Sequence, residues 1–235
     1  QAEDGIRDVE RSRGLGDVYK RQLIERLLNG EELSREKLFL EFTRHTPVLC
    51  TAAPGEDGRL DVNGKVVGIG YVPQPRKILE AVKAFRSHVS EADKLYFEGE
   101  WCKEKAETYA KRGLKLLLEW IYVDRDRESE IDFEKLVTIE LAKRLPWSSK
   151  HTWRNLMLNR AACLVFYQPP AVSFEVRGNI EVFTDGPYHE LVNLVHDAYH
   201  YTPPERRRDR PVYVLNITET YDNSAGPKGF GRKLI

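Results

Sequence analysis

The feature that most constrains the fold is a helix and two strands within residues 145–183. Lys150–Leu158 has the pattern of a helix, and two strand-like runs follow, Ala161–Tyr167 and Ala171–Phe183. A turn at Pro169–Pro170 separates the two runs. The second run alternates apolar with polar side chains, as a half-buried strand does: Val172, Phe174 and Val176 against Ser173, Glu175 and Arg177. The stretch therefore predicts a helix that begins beside a sheet.

The start of this helix has the composition of an anion site. Ser148 and Ser149 precede it, and a hydroxyl there can cap free backbone N–H groups. Lys150 and Arg154 add two cations within the first turns. Exposed N–H groups and the helix dipole favour a phosphate, and the cations can form charge-assisted bonds to it. We therefore expect a phosphate cradle at residues 148–154.

The same residues carry a family resemblance. SSKHTWRNLMLNRAACLVFY (148–167) resembles the serine/lysine, helix, Asn-Leu and next-strand passage of the pyridoxamine 5'-phosphate oxidase-like FMN-binding split barrels. FEVRGNIEVF (174–183) resembles the following strand of that family, with Gly178 at the usual glycine. Weaker similarity extends to an opening hairpin at 46–62 and a closing strand at 212–232. The resemblance covers about half of the chain in separated blocks.

This resemblance implies a mainly β structure with α elements (α+β): an FMN-binding split β-barrel with peripheral helices. It implies an FMN-dependent oxidoreductase acting on a small molecule, and a homodimer with the flavin at the subunit interface. In this family the isoalloxazine ring carries the electrons, so no catalytic side chain is assigned. The residues expected to bind or support the cofactor are Ser148, Ser149, Lys150, Arg154, Asn155, Ser173 and Arg59. Ser173 falls near a position where family members often place a flavin-facing glutamine.

The rest of the chain predicts one domain, residues 23–235. Residues 1–22 have no convincing apolar periodicity and resemble translated adaptor sequence, so we expect a leader foreign to the domain. Helical patterns at Ile78–Val89 and Trp101–Ile121 fall where the family barrel has a short connection. They predict a helical insertion over about residues 73–130.

The N-terminal part of that domain predicts helices followed by strands. Leu23–Leu28 and Glu32–Phe42 have helical patterns, the second capped near Ser34. Val48–Ala53 predicts a strand, and Pro54–Gly58 a turn. Arg59–Val72 predicts a second strand or a tight hairpin around Asn63–Gly64.

Composition bounds the partners. With 37 basic and 37 acidic residues, no overall field attracts nucleic acid or an anionic membrane, so neither is expected as a partner. No apolar run is long enough to cross a bilayer. The three cysteines, Cys50, Cys102 and Cys163, form no CxxC pair. They suit a reducing cytoplasm and give no structural zinc site.

The segment Pro187–His200 offers substrate-side candidates. It predicts an amphipathic helix with Leu191 on its apolar face, and His196, Asp197 and His200 on its polar face. HDAYH superficially resembles the HExxH zinc helix, although Asp is shorter than the usual Glu and no third ligand is evident. His196 and His200 are therefore candidates to contact a substrate, with no metal expected.

A basic loop follows that helix. It is bounded by prolines and contains Arg206, Arg207, Arg208 and Arg210. Two interpretations are open: the arginines are solvated, or they bind a phosphorylated substrate or cofactor. We take Arg207 as a third substrate-side candidate.

Two alternatives to the FMN oxidoreductase stay open. The first is a non-catalytic split-barrel module that binds a flavin, haem or deazaflavin. The second is a metal-dependent hydrolase that uses His196 and His200 as ligands.

Overall fold

The computed structural model describes residues 20–34, 37, 46–55, 57–141, 149–207, 210–226 and 230–235. Its helices are α1 (residues 20–28), α2 (Ile78–Phe97), α3 (Lys103–Trp120), α4 (His151–Leu158) and α5 (Gly186–Tyr199). Its strands are β1 (Val48–Pro54), β2 (Leu60–Val66), β3 (Gly70–Pro73), β4 (Ile131–Ile139), β5 (Ala161–Gln168), β6 (Val172–Phe183), β7 (Val212–Asp222) and β8 (Arg232–Lys233). The α-helices hold more of the described residues than the strands do, so the expected mainly β composition is corrected to mixed α and β.

The strands form one eight-stranded sheet in the order β2-β1-β5-β6-β7-β4-β3, with β8 paired to β7. Each of the paired neighbours is antiparallel. No backbone ladder joins the two ends of this order in the part of the chain that the structure describes. The expected combination of β-strands with peripheral helices is confirmed, but the strands form an antiparallel sheet that no ladder closes into the expected barrel among the described residues.

The sheet curls around a core although it is open. Leu49 on β1 belongs to the same buried apolar cluster as Tyr71 on β3 and Leu136 on β4. These strands lie towards opposite ends of the strand order, so their side chains meet only if the sheet bends back on itself. At the rim, Lys65 of β2 forms an ion pair with Glu140, the residue after β4.

A second apolar layer packs the long helices on the outside of the curled sheet. Alternation along β7 shows the two layers: Tyr213 and Leu215 point into the curl, and Val212 and Val214 point to the helices. On α2, buried residues recur at helical spacing and meet this outer face: Ile78, Ala81, Val82, Phe85 and Val89. The helices predicted near 78–89 and 101–121 are confirmed as α2 and α3, and their status as an insertion stays a prediction.

The strand predictions are confirmed at β1, β5, β6 and β7, and of the two alternatives for residues 59–72 the second strand forms, as β2, and the hairpin does not. Asn63 and Gly64 do not form a hairpin, because they pair with Thr51 and Cys50 inside the β1–β2 ladder. The chain instead reverses just after β1, where the Gly55 N–H donates to the Arg59 carbonyl at 2.6 Å. The predicted turn at 54–58 is thus confirmed, and β2 ends before a separate β3.

The structure describes only part of the N-terminal segment for which a leader and two helices are predicted. Residues 20–28 are helical, so the expected leader boundary at residue 22 falls inside a helix. Arg21 in that helix pairs with Asp124 at 2.5 Å, which ties α1 to the rest of the chain. The helix expected at Glu32–Phe42 lies mostly outside the described residues.

Candidate functional site

The start of α4 is the first candidate site. The N-cap residue is Lys150, with extended backbone (ψ 137°), and its side chain forms no cap hydrogen bond. The expected hydroxyl cap is therefore corrected: Ser149 is exposed and precedes the N-cap, and Ser148 lies outside the described residues. The N-cap residue itself therefore supplies no side-chain acceptor to the backbone N–H groups of the first turn.

Amide side chains seat α4 on the inner side of the β1–β2 hairpin. Asn155 is 1% exposed, and its Nδ2 donates to the Asp61 carbonyl oxygen at 3.0 Å. Asn63 Nδ2 donates to Thr152 Oγ1 at 2.8 Å. These bonds satisfy buried polar groups and fix the helix on the strands. Asn155 thus supports the corner structurally, as the resemblance implies.

Charges at this corner are unequal. Arg154 lies 3.3 Å from Asp61 Oδ2 with its side chain 57% exposed, and His151 Nδ1 lies 3.7 Å from Asp61 Oδ1. No described residue forms an ion pair with the Lys150 ammonium. The corner therefore has an excess of cationic groups at a helix N-terminus, which favours an anion.

Two expected cofactor residues lie elsewhere. Arg59 is at the β1–β2 turn, 89% exposed and 3.9 Å from Asp57. Ser173 lies on β6, where its N–H donates to Ser224 Oγ at 3.1 Å and its carbonyl accepts from the Asn223 N–H at 2.8 Å. The structure thus gathers residues 149–155 with Asp61 and leaves Arg59 and Ser173 outside that group.

Two arginines of the basic loop form ion pairs within the fold. Arg207 forms a bidentate pair with Asp93 of α2 at 2.6 and 2.7 Å. Arg210 is 8% exposed and forms a bidentate pair with Asp197 at 2.5 and 2.9 Å. A bidentate pair satisfies several guanidinium N–H donors, so each of these arginines already has an anionic partner within the fold. The substrate-side role of Arg207 stays a prediction, and Arg208 lies outside the described residues.

Asp197 does not lie on an exposed polar face. It is 3% exposed, and His196 Nδ1 lies 3.2 Å from its Oδ1. Burial acts to raise the pKa of Asp197, but the bonds from His196 and Arg210 outweigh it and lower that pKa. The ionised carboxylate is therefore stable inside the fold. Sequence periodicity missed this burial, because the covering arginines come from the loop after the helix.

The zinc-helix alternative is not supported. The rings of His196 and His200 have centroids 5.9 Å apart, and the Arg210 guanidinium lies 3.0 Å from His196 Nδ1. A guanidinium at that distance opposes a divalent cation. Within the described ranges, no three His, Cys, Asp or Glu residues gather as a metal site. The hydrolase interpretation of HDAYH therefore has no three-residue ligand set in the described part of the chain and stays an untested alternative.

An open cavity of about 480 Å³ lies between α2 and α5. Arg207, Asp197 and His189 contribute to its lining. Next to it, rings from α2, from α3, from the loop between them and from the loop after α5 form an aromatic cluster: His88, Tyr109, Trp101 and Tyr201. The cavity thus belongs to the helical layer, away from the α4 corner. None of the described helices is both long and apolar enough to cross a membrane.

Comparisons with known proteins give few matches. No protein-family model matches the chain, and no curated protein does. Among solved structures, an F420 reductase is similar at 16% identity and a TM-score of 0.35, over 77% of this chain and 94% of the other. HupZ of Group A Streptococcus is similar at 10% identity and a TM-score of 0.39, over 83% of this chain and 97% of the other. At these TM-scores, we infer no ligand or activity from either likeness.

Proposed function

We propose that this chain is a split-barrel flavoprotein that binds the FMN phosphate at the start of α4. The observation that carries the proposal is Lys150, the N-cap residue of α4, whose ammonium has no acidic partner among the described residues. A helix N-terminus and a free cation both favour a phosphate. The Ser-Ser-Lys pattern at this place is also the part of the sequence that resembles the FMN-binding family.

The residues at this corner fit a phosphate monoester. The first-turn N–H groups of α4 supply donors, and Lys150 supplies a point charge. Arg154 is largely exposed, so its guanidinium can turn from Asp61 towards a phosphate. Asp61 opposes the anion, but His151 and Arg154 both lie close to its carboxylate. The balance of charge therefore still favours phosphate binding.

In this proposal, FMN supplies the electron-transfer chemistry through its isoalloxazine ring. The protein holds and orients the cofactor. Asn155 keeps α4 fixed on β1 and β2, so that the phosphate donors do not shift. We assign no catalytic side chain. Arg59 and Ser173 remain candidates for the flavin ring, and His196, His200 and Arg207 for the substrate side.

A homodimer is part of the proposal. The edge strand β2 exposes a row of apolar side chains on its outer side: Leu60 (70%), Val62 (70%) and Val66 (66%). An exposed apolar edge of this kind is a pairing liability unless something covers it. A second copy of the chain is the partner that the resemblance implies.

The experiment is a visible absorption spectrum of the purified protein, followed by identification of the compound that heat releases. We expect a flavin spectrum and released FMN, or a flavin spectrum after FMN is added to colourless protein. Protein that stays colourless with added FMN would contradict the proposal. If heat releases haem or a deazaflavin, that compound replaces FMN as the cofactor in the proposal. If the protein binds FMN but no electron donor supports turnover, the protein is a flavin-binding module and not an oxidoreductase.

A further inference from the structure

Two cysteines that are distant in sequence are direct neighbours in the sheet. Cys50 of β1 is the cross-strand partner of Cys163 of β5. Directly opposed residues of an antiparallel pair project from the same side of the sheet. Leu49 and Leu164 on the same strands point into the core, so both cysteines lie on the outer side, where each is half-buried. The third cysteine, Cys102, is exposed next to α3 and has no part in this pair.

The hydrogen-bond pattern of β1 gives the spacing of the pair. Gly55 donates to Arg59, and Val67 donates to Pro47, at the two ends of the β1–β2 ladder. Odd-numbered residues of β1 therefore bond towards β2, and even-numbered residues, including Cys50, bond towards β5. A hydrogen-bonded pair of this type has its Cα atoms about 5.5 Å apart, which is within the range that disulfides span.

Closing a disulfide at this spacing requires a small adjustment. Opposed Cβ atoms in a sheet lie about 4.5–5.5 Å apart, whereas a disulfide brings them to about 3.8 Å. The two strands must therefore draw together, and a bond formed under such strain is easily reduced. Within the described sheet, strand β1 has only the edge strand β2 on its other side, so β2 is the one strand that has to follow β1 in this movement.

Charged groups beside the pair keep the thiols protonated. Cys163 Sγ lies 3.5 Å from Glu175 Oε1, and Arg177 Nε donates to the same oxygen at 2.5 Å. Burial and Glu175 raise the pKa of Cys163 to about 12. Burial, with Glu175, also raises the pKa of Cys50. The resting state is thus a dithiol that reacts slowly until one thiol loses its proton.

We propose that Cys50 and Cys163 form a redox-active dithiol that closes to a disulfide by exchange with a small-molecule disulfide. The Cys50 thiolate attacks one sulfur of the small disulfide, whose S–S bond breaks and releases one small thiol after protonation. Cys163 then loses its proton to solvent and attacks the Cys50 sulfur, and the second small thiol leaves. Two cysteine thiols are oxidised by two electrons, and one small disulfide is reduced to two thiols. This inference is independent of FMN binding.

The test uses the full chain carrying Cys102→Ser, so that only the proposed pair can react. Folded protein at low concentration, which leaves the β2 side uncovered, is treated with glutathione disulfide and analysed as non-reduced peptides by mass spectrometry. We expect the peptides of Cys50 and Cys163 to be linked, with the loss of two hydrogen atoms and of both free thiols. Dithiothreitol should restore both thiols.

Single substitutions in that background distinguish exchange from simple modification. With Cys163→Ser, Cys50 should keep a glutathione adduct, because no second thiol can displace it. Circular dichroism before and after treatment checks that the fold is retained. The proposal is overturned if folded Cys102→Ser protein retains two free thiols, carries glutathione on both cysteines, or links them only between two molecules.

Discussion

The ammonium of Lys65 pairs with the carboxylate of Glu140 across the open side of the curled sheet. Lys65 lies on β2, the first strand of the sheet order, and Glu140 directly follows β4, near the other end. Glu140 is fully buried and also accepts a hydrogen bond from the Tyr213 hydroxyl at 3.1 Å. The pair therefore joins the two ends of the sheet at a place where no ladder does among the described residues.

Breaking this pair should destabilise the protein strongly. Lys65→Met leaves the buried Glu140 carboxylate without its cation, while the methionine retains most of the side-chain volume. We expect the free energy of unfolding to fall by about 3 kcal/mol, the lower end for a broken buried ion pair, because the Lys65 side chain is 34% exposed. Urea unfolding at neutral pH measures the change.

The matched control is Lys83→Met, at an exposed lysine of α2. It should change the free energy of unfolding by no more than about 0.5 kcal/mol. Equal effects of the two substitutions would show that the Lys65 pair does not hold the sheet together.

Gly178 should not tolerate a methyl group. A Cβ at this position would lie 1.9 Å from the Asn216 carbonyl oxygen, because β6 and β7 approach closely at the bulge beside Arg177. We expect Gly178→Ala to lower the free energy of unfolding by about 2 kcal/mol or more through strand displacement. In Gly64→Ala, the new Cβ would meet Val48 at an ordinary 3.5 Å. The free energy of unfolding of this control should be unchanged or higher by up to about 1 kcal/mol. A Gly178→Ala protein with the same free energy of unfolding as the control would contradict the close approach of β6 and β7.

His88 should make stability depend on pH. It is 2% exposed, and its Nε2–H donates to the Ala198 carbonyl at 3.0 Å. Burial lowers the pKa of His88, with the nearby Arg112 lowering it further against the bond to Ala198 and the charge of Glu91. Since the folded-state pKa is lower than the unfolded value of about 6.5, the stabilisation is present above that pH and is lost as the pH falls.

The measurement is urea unfolding of the wild type and of His88→Gln at several pH values. Between about pH 7 and about pH 5, the free energy of unfolding of the wild type should fall more steeply than that of the variant, by up to about 1.4 kcal/mol per pH unit. Glutamine can still donate to the Ala198 carbonyl, which limits other effects. If the free energies of unfolding of the two proteins differ by the same amount over this pH range, His88 is not a neutral buried side chain.

The exposed row on β2 should control self-association. Val62→Lys places a charge in the middle of that row, and a lysine on an edge strand opposes pairing. We expect a dimer of the wild type by analytical ultracentrifugation and a weakened or absent dimer for Val62→Lys. Leu79→Lys, at a residue 68% exposed on α2, is the control and should leave the dimer intact. A wild-type monomer, or equal effects of both substitutions, would contradict the proposed interface.

Local sequence patterns predicted most of the secondary structure. The alternation from Val172 to Arg177 correctly indicated β6, because side chains of a strand alternate between two environments. The Asn63–Gly64 signal failed, since pairing along the whole of β1 outweighed a local turn preference. Gly58, with a positive φ of 77°, lies in the turn that actually forms. Short-range sequence patterns thus predicted the positions of helices and strands better than the positions of chain reversals.

Contacts between distant segments could not be predicted in the same way. The sequence located Lys150, Arg154 and Asn155 at one corner, but not Asp61, which reaches that corner from the hairpin. Likewise, Asp93 and Arg207 pair between α2 and the loop after α5. Such pairs depend on how the helices and the sheet pack, and a single sequence contains no local signal of that packing. The same holds for the Cys50–Cys163 pair.

The most direct test of the α4 phosphate site compares FMN with riboflavin, which lacks the phosphate. Binding of each is titrated by flavin fluorescence to the wild type, to Lys150→Ala and to Lys111→Ala, a control at an exposed lysine of α3. We predict that Lys150→Ala weakens FMN binding about tenfold or more, the effect of one charge-assisted bond, and leaves riboflavin binding unchanged. Lys111→Ala should alter neither. Equal FMN affinity in wild type and Lys150→Ala would contradict the site.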